Sequence, residues 1–294
     1  MKYIVHLNDI EMIEPLIERQ IAGVIVGTDH YSNGGIINSS IEQIRQIVAK
    51  INHRMHVYVL VNRLFHQHEI ASLKVFLKDL MESDIDGVVF QDFGVLNIVQ
   101  ELQASYKMIY APDTLNTNHQ TMNSLSLLGV DAFMLAGQLH YDEVEAIVNH
   151  SQKPCIVPVH GVQYISCSRR ELLTNYFSQI NKSESSRYQD KIKIKVNNKE
   201  EYSYIYEDEA GTHIYTTNEL CTLNLKIPGE YGYIETLYLD NDYILDVIDY
   251  YQNHFLEEEL KTKYPEHNYD HGFLEDGTVY KIEDVRKREE HEKR

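Results

Sequence analysis

The sequence predicts an α/β fold, a closed (β/α)8 barrel of the TIM type with a small antiparallel β subdomain inserted between its seventh and eighth units. Three observations support this fold class. Short apolar runs alternate regularly with amphipathic segments. The runs are continuously apolar, which is typical of parallel strands that are covered on both faces. Seven predicted strands follow one another in this rhythm, and this favours a closed barrel over an open sheet.

Each predicted barrel strand is an apolar run, and a helical stripe follows it. The strands cover residues 2–7, 22–27, 56–62, 87–92, 107–112, 131–137, 154–161 and 232–240. The helices that follow them cover residues 9–20, 40–51, 68–82, 95–104, 119–128, 141–150 and 243–254. The first helix shows the reasoning, because Ile10, Ile13 and Ile17 recur at helical spacing. A serine at position 39 or 40 is the expected cap of the second.

The insertion between units seven and eight begins with a predicted helix over 170–179, and a serine-rich polar loop over 181–189 follows. Residues 191–196 (KIKIKV) alternate strictly, so three lysines share one face of a strand. Residues 202–206 and 213–217 are its predicted antiparallel neighbours. The predicted divisions are barrel units one to seven (1–164), the insertion (165–230), the last barrel unit (231–264) and a C-terminal extension (265–294).

The charge of the chain is unevenly distributed. There are 45 acidic and 27 basic residues, and the net charge of -18 opposes nonspecific binding to nucleic acid. Residues 151–200 are the exception, with nine basic and four acidic side chains. This stretch could attract a polyanion, although a solvated surface explains it equally well.

The sequence predicts a cytoplasmic protein that does not contact a membrane. No apolar run approaches the ~20 residues that a membrane helix needs, and the N-terminal residues are too polar for a signal peptide. The cysteines Cys155, Cys167 and Cys221 cannot form a closed set of disulfides, which favours a reducing compartment.

Active sites of this fold use the carboxyl ends of the barrel strands and the loops after them. Polar residues near the predicted strand ends are Asn8, Thr28, Asn62, Arg63, Gln91, Asp92, Asp113, Gln138, His160 and Asp240. We select Asn62, Asp92 and His160 as candidate catalytic residues. Asp92 could act as a general base, and His160 could carry a proton near neutral pH. For Asp92 and Asn62, capping a loop or a helix is an equally good explanation.

Hydrolase motifs are weak in this sequence. There is no H-E-x-x-H zinc motif and no G-x-S-x-G nucleophile elbow. The chain contains one possible nucleophile–base pair, Cys167 with His160. A nucleophilic cysteine also needs a third group that orients the base.

The most specific segment runs from Val159 to Phe177. It reads Val-His-Gly-Val-Gln-Tyr-Ile-Ser-Cys-Ser-Arg-Arg-Glu-Leu-Leu-Thr-Asn-Tyr-Phe. This resembles the signature of the U-32 (collagenase-like) peptidase family, in which Val-His-Gly ends a strand and Leu-Leu-Ser-Asn-Tyr follows a second cysteine. The resemblance continues in residues 57–92, 114–123, 216–225 and 272–282, so it covers nearly the whole chain.

The resemblance implies more than the family name says. The name records an early protease assignment, whereas better understood members are oxygen-independent hydroxylation proteins. They act on tRNA wobble uridine with prephenate as the oxygen source, on ribosomal RNA, or on ubiquinone precursors. Many members bind an iron–sulfur cluster through four cysteines, and some work as pairs of paralogues.

This sequence departs from the family pattern at the cluster. The first two cysteine positions hold Tyr164 and Glu171, the third falls in the serine-rich residues 183–186, and Cys221 retains the fourth. Because a cluster needs several thiolates, usually four, the sequence predicts no metal ligands and no cofactor. A cluster held by Cys167, Cys221 and a non-cysteine ligand is the alternative. The family's Arg-Glu pair after strand six is Gly-Gln here, at positions 137 and 138.

The pattern favours an accessory or paired subunit for tRNA hydroxylation, with a longer cluster-bearing paralogue and tRNA as the expected partners. Cations would meet phosphates and aromatic rings would stack on bases. The predicted substrate-binding residues are Tyr164, Ser166, Arg169, Arg170, Asn175, Tyr176 and Lys193. The alternatives are a collagenase-like peptidase and a barrel that binds a small molecule without catalysis. Whether the chain alone is an enzyme stays open.

Overall fold

The computed structural model describes residues 1–33, 37–182, 191–195 and 202–275. Its strands, numbered along the chain, are β1 (Lys2–His6), β2 (Gly23–Val26), β3 (His56–Val61), β4 (Gly87–Phe90), β5 (Lys107–Tyr110), β6 (Ala132–Met134), β7 (Cys155–Ser168), β8 (Lys193–Lys195), β9 (Tyr202–Asp208), β10 (Gly211–Cys221), β11 (Tyr231–Ile234) and β12 (Tyr269–Asp270). Its helices are α1 (Ile13–Glu18), α2 (Ile41–Ile51), α3 (Ile70–Leu80), α4 (Phe93–Glu101), α5 (His119–Ser126), α6 (Tyr141–His150), α7 (Leu172–Gln179), α8 (Asn241–Asn253) and α9 (Glu257–Lys263). None of these helices has both the length and the apolar character needed to cross a membrane.

Strands β1 to β7 and β11 form a closed parallel barrel. Each strand from β1 to β6 pairs with the next one along the chain, and β11 lies between β7 and β1 and closes the ring. Helices connect the successive strands. The predicted (β/α)8 fold class is therefore confirmed.

The extra antiparallel strands extend the barrel wall. β7 is 14 residues long, and its second half pairs with β10 beyond the barrel. Strands β9 and β8 continue that ladder, and β12 pairs with β10. Because β7 crosses from the barrel into this extension, the predicted boundary between residues 164 and 165 falls inside a strand. The last barrel strand ends at Ile234, so the prediction of a strand over 232–240 was too long.

Side chains of the barrel strands alternate between two cores. The inner core fills the barrel and includes Ile4, Ile25, Leu60, Val89 and Ile156. The outer core packs the strands against the helices and is much larger. Because both faces of each strand are buried, the strands read as continuous apolar runs.

Helix starts are fixed by side chains that accept hydrogen bonds from first-turn N–H groups. In α2, Ser40 and Gln43 form a reciprocal capping box. α7 is capped from another element, because the carboxylate of Glu207 in β9 accepts hydrogen bonds from the backbone N–H groups of Leu173 and Thr174 at 2.9 Å and 3.2 Å. A helix that follows the long strand β7 is thereby held against the extension.

Candidate functional site

A cavity of about 310 Å³ opens at the carboxyl ends of the barrel strands. Its floor is the top of the inner core, where it is lined by Ile25, Leu60, Val89 and Ala111. Polar side chains surround the mouth. An apolar pocket with a few converging polar groups is the usual form of a small-molecule site, and this is the end at which TIM barrels place their chemistry.

Three polar side chains of the cavity continue the inward-facing rows of their strands by one step. They are His6, Asn62 and Glu235. Each lies two residues beyond an inward-facing side chain of the same strand, and a step of two keeps a side chain on the same face. The barrel geometry therefore fixes where these three groups point. Asp113 also lines the cavity, but it lies three residues beyond the end of β5 with a φ of 58°, so a loop positions it.

His6 and Glu235 form a buried pair across β1 and the end of β11. The imidazole Nδ1 lies 3.1 Å from Oε1 of Glu235, and the Tyr233 hydroxyl donates to Oε2 at 2.8 Å. The backbone N–H groups of Thr236 and Leu237 donate to Oε1. Burial alone would raise the pKa of Glu235, but the charge and hydrogen bond of His6 and the hydrogen bond from Tyr233 hold it below its ordinary value. Glu235 is therefore a carboxylate, and Nδ1 of His6 donates to it.

Asp113 is the second carboxyl group of the cavity, and it has no such support. Its side chain makes no hydrogen bond to the residues that the structure describes. Burial raises the pKa of Asp113 to about 7; the charge on Glu235 adds to this effect, whereas His213 opposes it. Near neutral pH the group is therefore divided between its acid and carboxylate forms.

The extension covers one side of the cavity. Val162, Gln163 and Tyr164 of β7 and Tyr215 of β10 line it. The rings of Tyr164 and Tyr215 meet edge to face with their centroids 5.6 Å apart, an arrangement that aromatic pairs prefer. A ligand in the cavity would thus touch both the barrel and the antiparallel strands.

His160 does not line this cavity, contrary to the position predicted for it. Pro158 pairs with Tyr233 and His160 with Ile234, so Val159 is an extra residue in β7. Such a bulge re-aims the side chains that follow it. The imidazole is fully buried on the outer side of the barrel.

The partners of His160 are structural. Its Nε2 lies 3.0 Å from the Tyr243 hydroxyl and 3.3 Å from Oε2 of Glu219, which joins β7 to α8 and β10. Burial opposes ionisation of Glu219, but hydrogen bonds from His160 and His267 lower its pKa to about 2. The carboxylate is therefore the fixed centre of a buried cluster outside the cavity.

Asp92 also lies outside the cavity. Its Oδ1 accepts from the Gly94 N–H at 2.8 Å and caps α4, and its Oδ2 accepts from the Phe65 N–H at 2.9 Å. These bonds match the capping explanation. Asn62 does line the cavity, where its Oδ1 accepts from the Asn33 N–H at 2.7 Å. A catalytic role for these residues stays a prediction.

The predicted substrate-binding residues divide into a cavity residue and an outer group. Tyr164 lines the cavity. Arg169 donates to the backbone carbonyl of Leu64 at 3.0 Å, and Lys193 lies over the Tyr204 ring at 5.0 Å. The remaining members are exposed on the extension: Ser166, Arg170, Asn175 and Tyr176. Their contact with a substrate stays a prediction.

Comparison with known proteins identifies the family. The model for peptidase family U32 matches residues 8–275. The chain belongs to peptidase family U32. It is similar to the tRNA hydroxylation protein P2 of Bacillus subtilis (strain 168), with 30% identity over 217 residues that cover 72% of this chain and 70% of that protein. A solved structure, the U32 peptidase Mk0906, matches with a TM-score of 0.51 and 12% identity over 80% of this chain and 92% of that chain. The structural match supports the fold alone.

The cysteines of this U32 member do not fit an iron–sulfur cluster. Cys221 pairs with His160 and Cys167 with His213, so the two thiols sit at opposite ends of the β7–β10 ladder. A strand advances ~3.3 Å per residue, which separates them by about 20 Å. Cys155 is buried in the outer core at the start of β7. The two thiols are too far apart in this structure to bind one cluster, and the absence of a cofactor stays a prediction. Cys167 and His160 are seven positions apart on one strand, so they do not form a nucleophile pair in this structure.

The residues at the other positions of the family pattern lie in different parts of the structure. Tyr164 faces the cavity, Glu171 is exposed before α7, and residues 183–186 lie outside the described residues. Within the described part of the chain, no group of three or more His, Cys, Asp or Glu side chains is arranged to hold a metal. Gly137 and Gln138, which replace the family's Arg-Glu pair, do line the cavity.

Sequence reasoning missed His6 and Glu235 as cavity residues. The reason is strand length, because the predicted strands ran to residues 7 and 240 and so put other side chains at the ends. A usable signal was present. In both KYIVHL and GYIETLYLD a polar residue stands in phase with an inward-facing apolar or aromatic residue two positions earlier.

Proposed function

We propose that this chain takes part in the hydroxylation of tRNA wobble uridine, with prephenate as the oxygen source, as an accessory subunit paired with a longer U32 member. The observation that carries the proposal is the 30% identity to the tRNA hydroxylation protein P2 across 72% of this chain. The U32 match over residues 8–275 supports the same assignment. The reaction would take place in the cytoplasm, where tRNA is modified.

The cavity and the extension support a role at the substrate. The cavity lies at the end of the barrel where ligands bind in this fold, and Tyr164 and Tyr215 offer ring faces beside it. Arg169, Arg170 and Lys193 stand on the adjoining extension. Basic groups near aromatic rings suit single-stranded RNA, whose phosphates and bases they contact.

The cysteines support the accessory role. Cys155 and Cys221 are buried, and burial raises the pKa of the Cys221 thiol to about 12. Thiols in that state are poor metal ligands, because iron binds the thiolate. We therefore assign the cluster, and the electron transfer that it supports, to the longer partner.

The test is deletion of the gene followed by analysis of tRNA nucleosides. We expect 5-hydroxyuridine derivatives to fall when the chain is absent and to return when the wild-type chain is supplied. Glu235→Gln should restore them poorly, because it removes the carboxylate that holds His6. Glu230→Gln is the matched control, since Glu230 is surface-exposed, pairs with Lys2 and does not line the cavity.

Three results bear on the details. Co-purification with a longer, four-cysteine U32 protein would support the paired role, and loss of the modification in cells that cannot make prephenate would support the oxygen source. Unchanged 5-hydroxyuridine derivatives in the deletion strain would contradict the proposal. Cleavage of gelatin by the purified chain would instead support the peptidase alternative.

A further inference from the structure

The charge of the cavity is unusual for a site that handles anions. No lysine or arginine is among the described residues that line it, whereas two carboxyl groups, Asp113 and Glu235, are. His6 is the remaining basic side chain of that lining, and its Nδ1 is already bound to Glu235. A carboxylate entering the cavity would find no free cation among these residues.

Asp113 also disfavours the binding of carboxylates in the cavity. It has no hydrogen-bond donor among the described residues, and His213 opposes the effect of burial on its charge only in part. A second carboxylate nearby would meet like charge in a site of low dielectric constant, where such repulsion is strong. A ligand N–H group, in contrast, would supply the missing donor.

Polar atoms without partners show what the cavity does accept. Nε2 of His6 is buried and makes no hydrogen bond in the described structure. Because Nδ1 is bound to Glu235, Nε2 is the ring nitrogen of His6 that still lacks a hydrogen-bond partner, and a polar group of a ligand could supply one. The amides of Asn62 and Gln138 can both donate and accept. Below them the floor is apolar and suits the face of a ring.

We propose that this cavity binds an uncharged planar ring with both N–H and C=O groups, as on the edge of a pyrimidine-dione, and that it rejects carboxylates. This inference rests on the proposed function and assigns the two substrates of the reaction to different sites. The uridine base would enter this chain, and the dicarboxylate oxygen donor would bind elsewhere in the complex.

The test compares ligands of similar size that differ in charge. 6-Methyluracil and orotate share a ring and differ in whether position 6 carries a methyl group or a carboxylate. With the purified full chain at pH 8, we expect calorimetry to show binding of 6-methyluracil and at least about tenfold weaker binding of orotate, a difference of about 1.4 kcal/mol. Prephenate should bind as weakly as orotate.

Two cavity variants locate the effect. Gln138→Arg places a cation in the lining and should raise the affinity for orotate, whereas Gln120→Arg, on the exposed face of α5, should not. Asp113→Asn should reduce the difference in affinity between 6-methyluracil and orotate. Failure of both neutral and charged rings to bind, or equal binding of orotate and 6-methyluracil, would overturn the inference. Binding of 6-methyluracil with normal tRNA in the deletion strain would overturn only the proposed function.

Discussion

At the scale of single residues, the cavity contains two carboxyl groups in opposite states. Glu235 receives hydrogen bonds from Tyr233 and two backbone N–H groups and is held as a carboxylate by His6. Asp113 has none of these partners within the described residues, and burial raises its pKa to about 7. The environment, not the residue type, decides which carboxyl group is charged.

Asp113→Asn should stabilise the protein increasingly as the pH rises. The pKa of Asp113 is about 7 in the folded chain against an ordinary 3.8, so the folded state binds the proton more tightly. The wild type therefore loses stability between about pH 4 and pH 7 and regains none above that range. The amide does not titrate, so its advantage is nearly absent at pH 4 and reaches on the order of 4 kcal/mol at pH 8. Urea unfolding at several pH values measures this difference.

The backbone at this position does not confound the experiment. Asp113 has a φ of 58°, and asparagine tolerates the left-handed region as well as aspartate does. Asp142→Asn is the control, because the Asp142 side chain is 85% exposed and its loss should give no pH-dependent gain. A gain for Asp113→Asn that is the same at pH 5 and pH 8 would contradict the raised pKa.

At the scale of elements, the sequence was a good guide to the strands and a poor guide to their ends. Continuous apolar runs locate all eight barrel strands, because burial on both faces leaves a local signal. The bulge at Val159 leaves none. It is set by the pairing of β7 with β11, which lies far along the chain, and it turns His160 from the predicted cavity position to the outer core.

Gly161→Ala should destabilise the protein much more than Gly129→Ala. Both glycines have positive φ, 101° and 95°, so both variants incur a backbone strain of about 1 kcal/mol or more. At Gly161 a Cβ atom would also stand 2.2 Å from the Glu235 carbonyl oxygen, whereas at Gly129 it meets only the end of the Gln100 side chain. We expect a loss on the order of 3 kcal/mol or more for Gly161→Ala by urea unfolding. Equal losses in the two variants would show that the β7–β11 contact is not tight.

At the scale of the whole molecule, the barrel and the extension share a strand, and the cavity belongs to both. The sequence predicts the barrel and the added strands separately, each from its own periodicity. Pairings between distant segments bring Tyr164 and Tyr215 together in the cavity that Asp113 and Glu235 also line. No local sequence pattern encodes these pairings. The distance between Cys167 and Cys221 could not be predicted from the sequence for the same reason.

Anaerobic incubation of the purified chain with iron and sulfide should leave it without a cluster. Cys167 is exposed at one end of the β7–β10 ladder, while Cys221 is buried at the other and Cys155 is buried in the outer core. These three thiols cannot converge on one cluster from these positions, and a cluster usually needs four. The thiol count checks the geometry independently: a disulfide reagent should modify one thiol of the native chain, none in Cys167→Ser, and three in the urea-unfolded wild type. A brown protein with an EPR signal would mean that β7 and β10 separate to bring the sulfurs together, and rapid reaction of Cys221 in the native state would reveal the same opening.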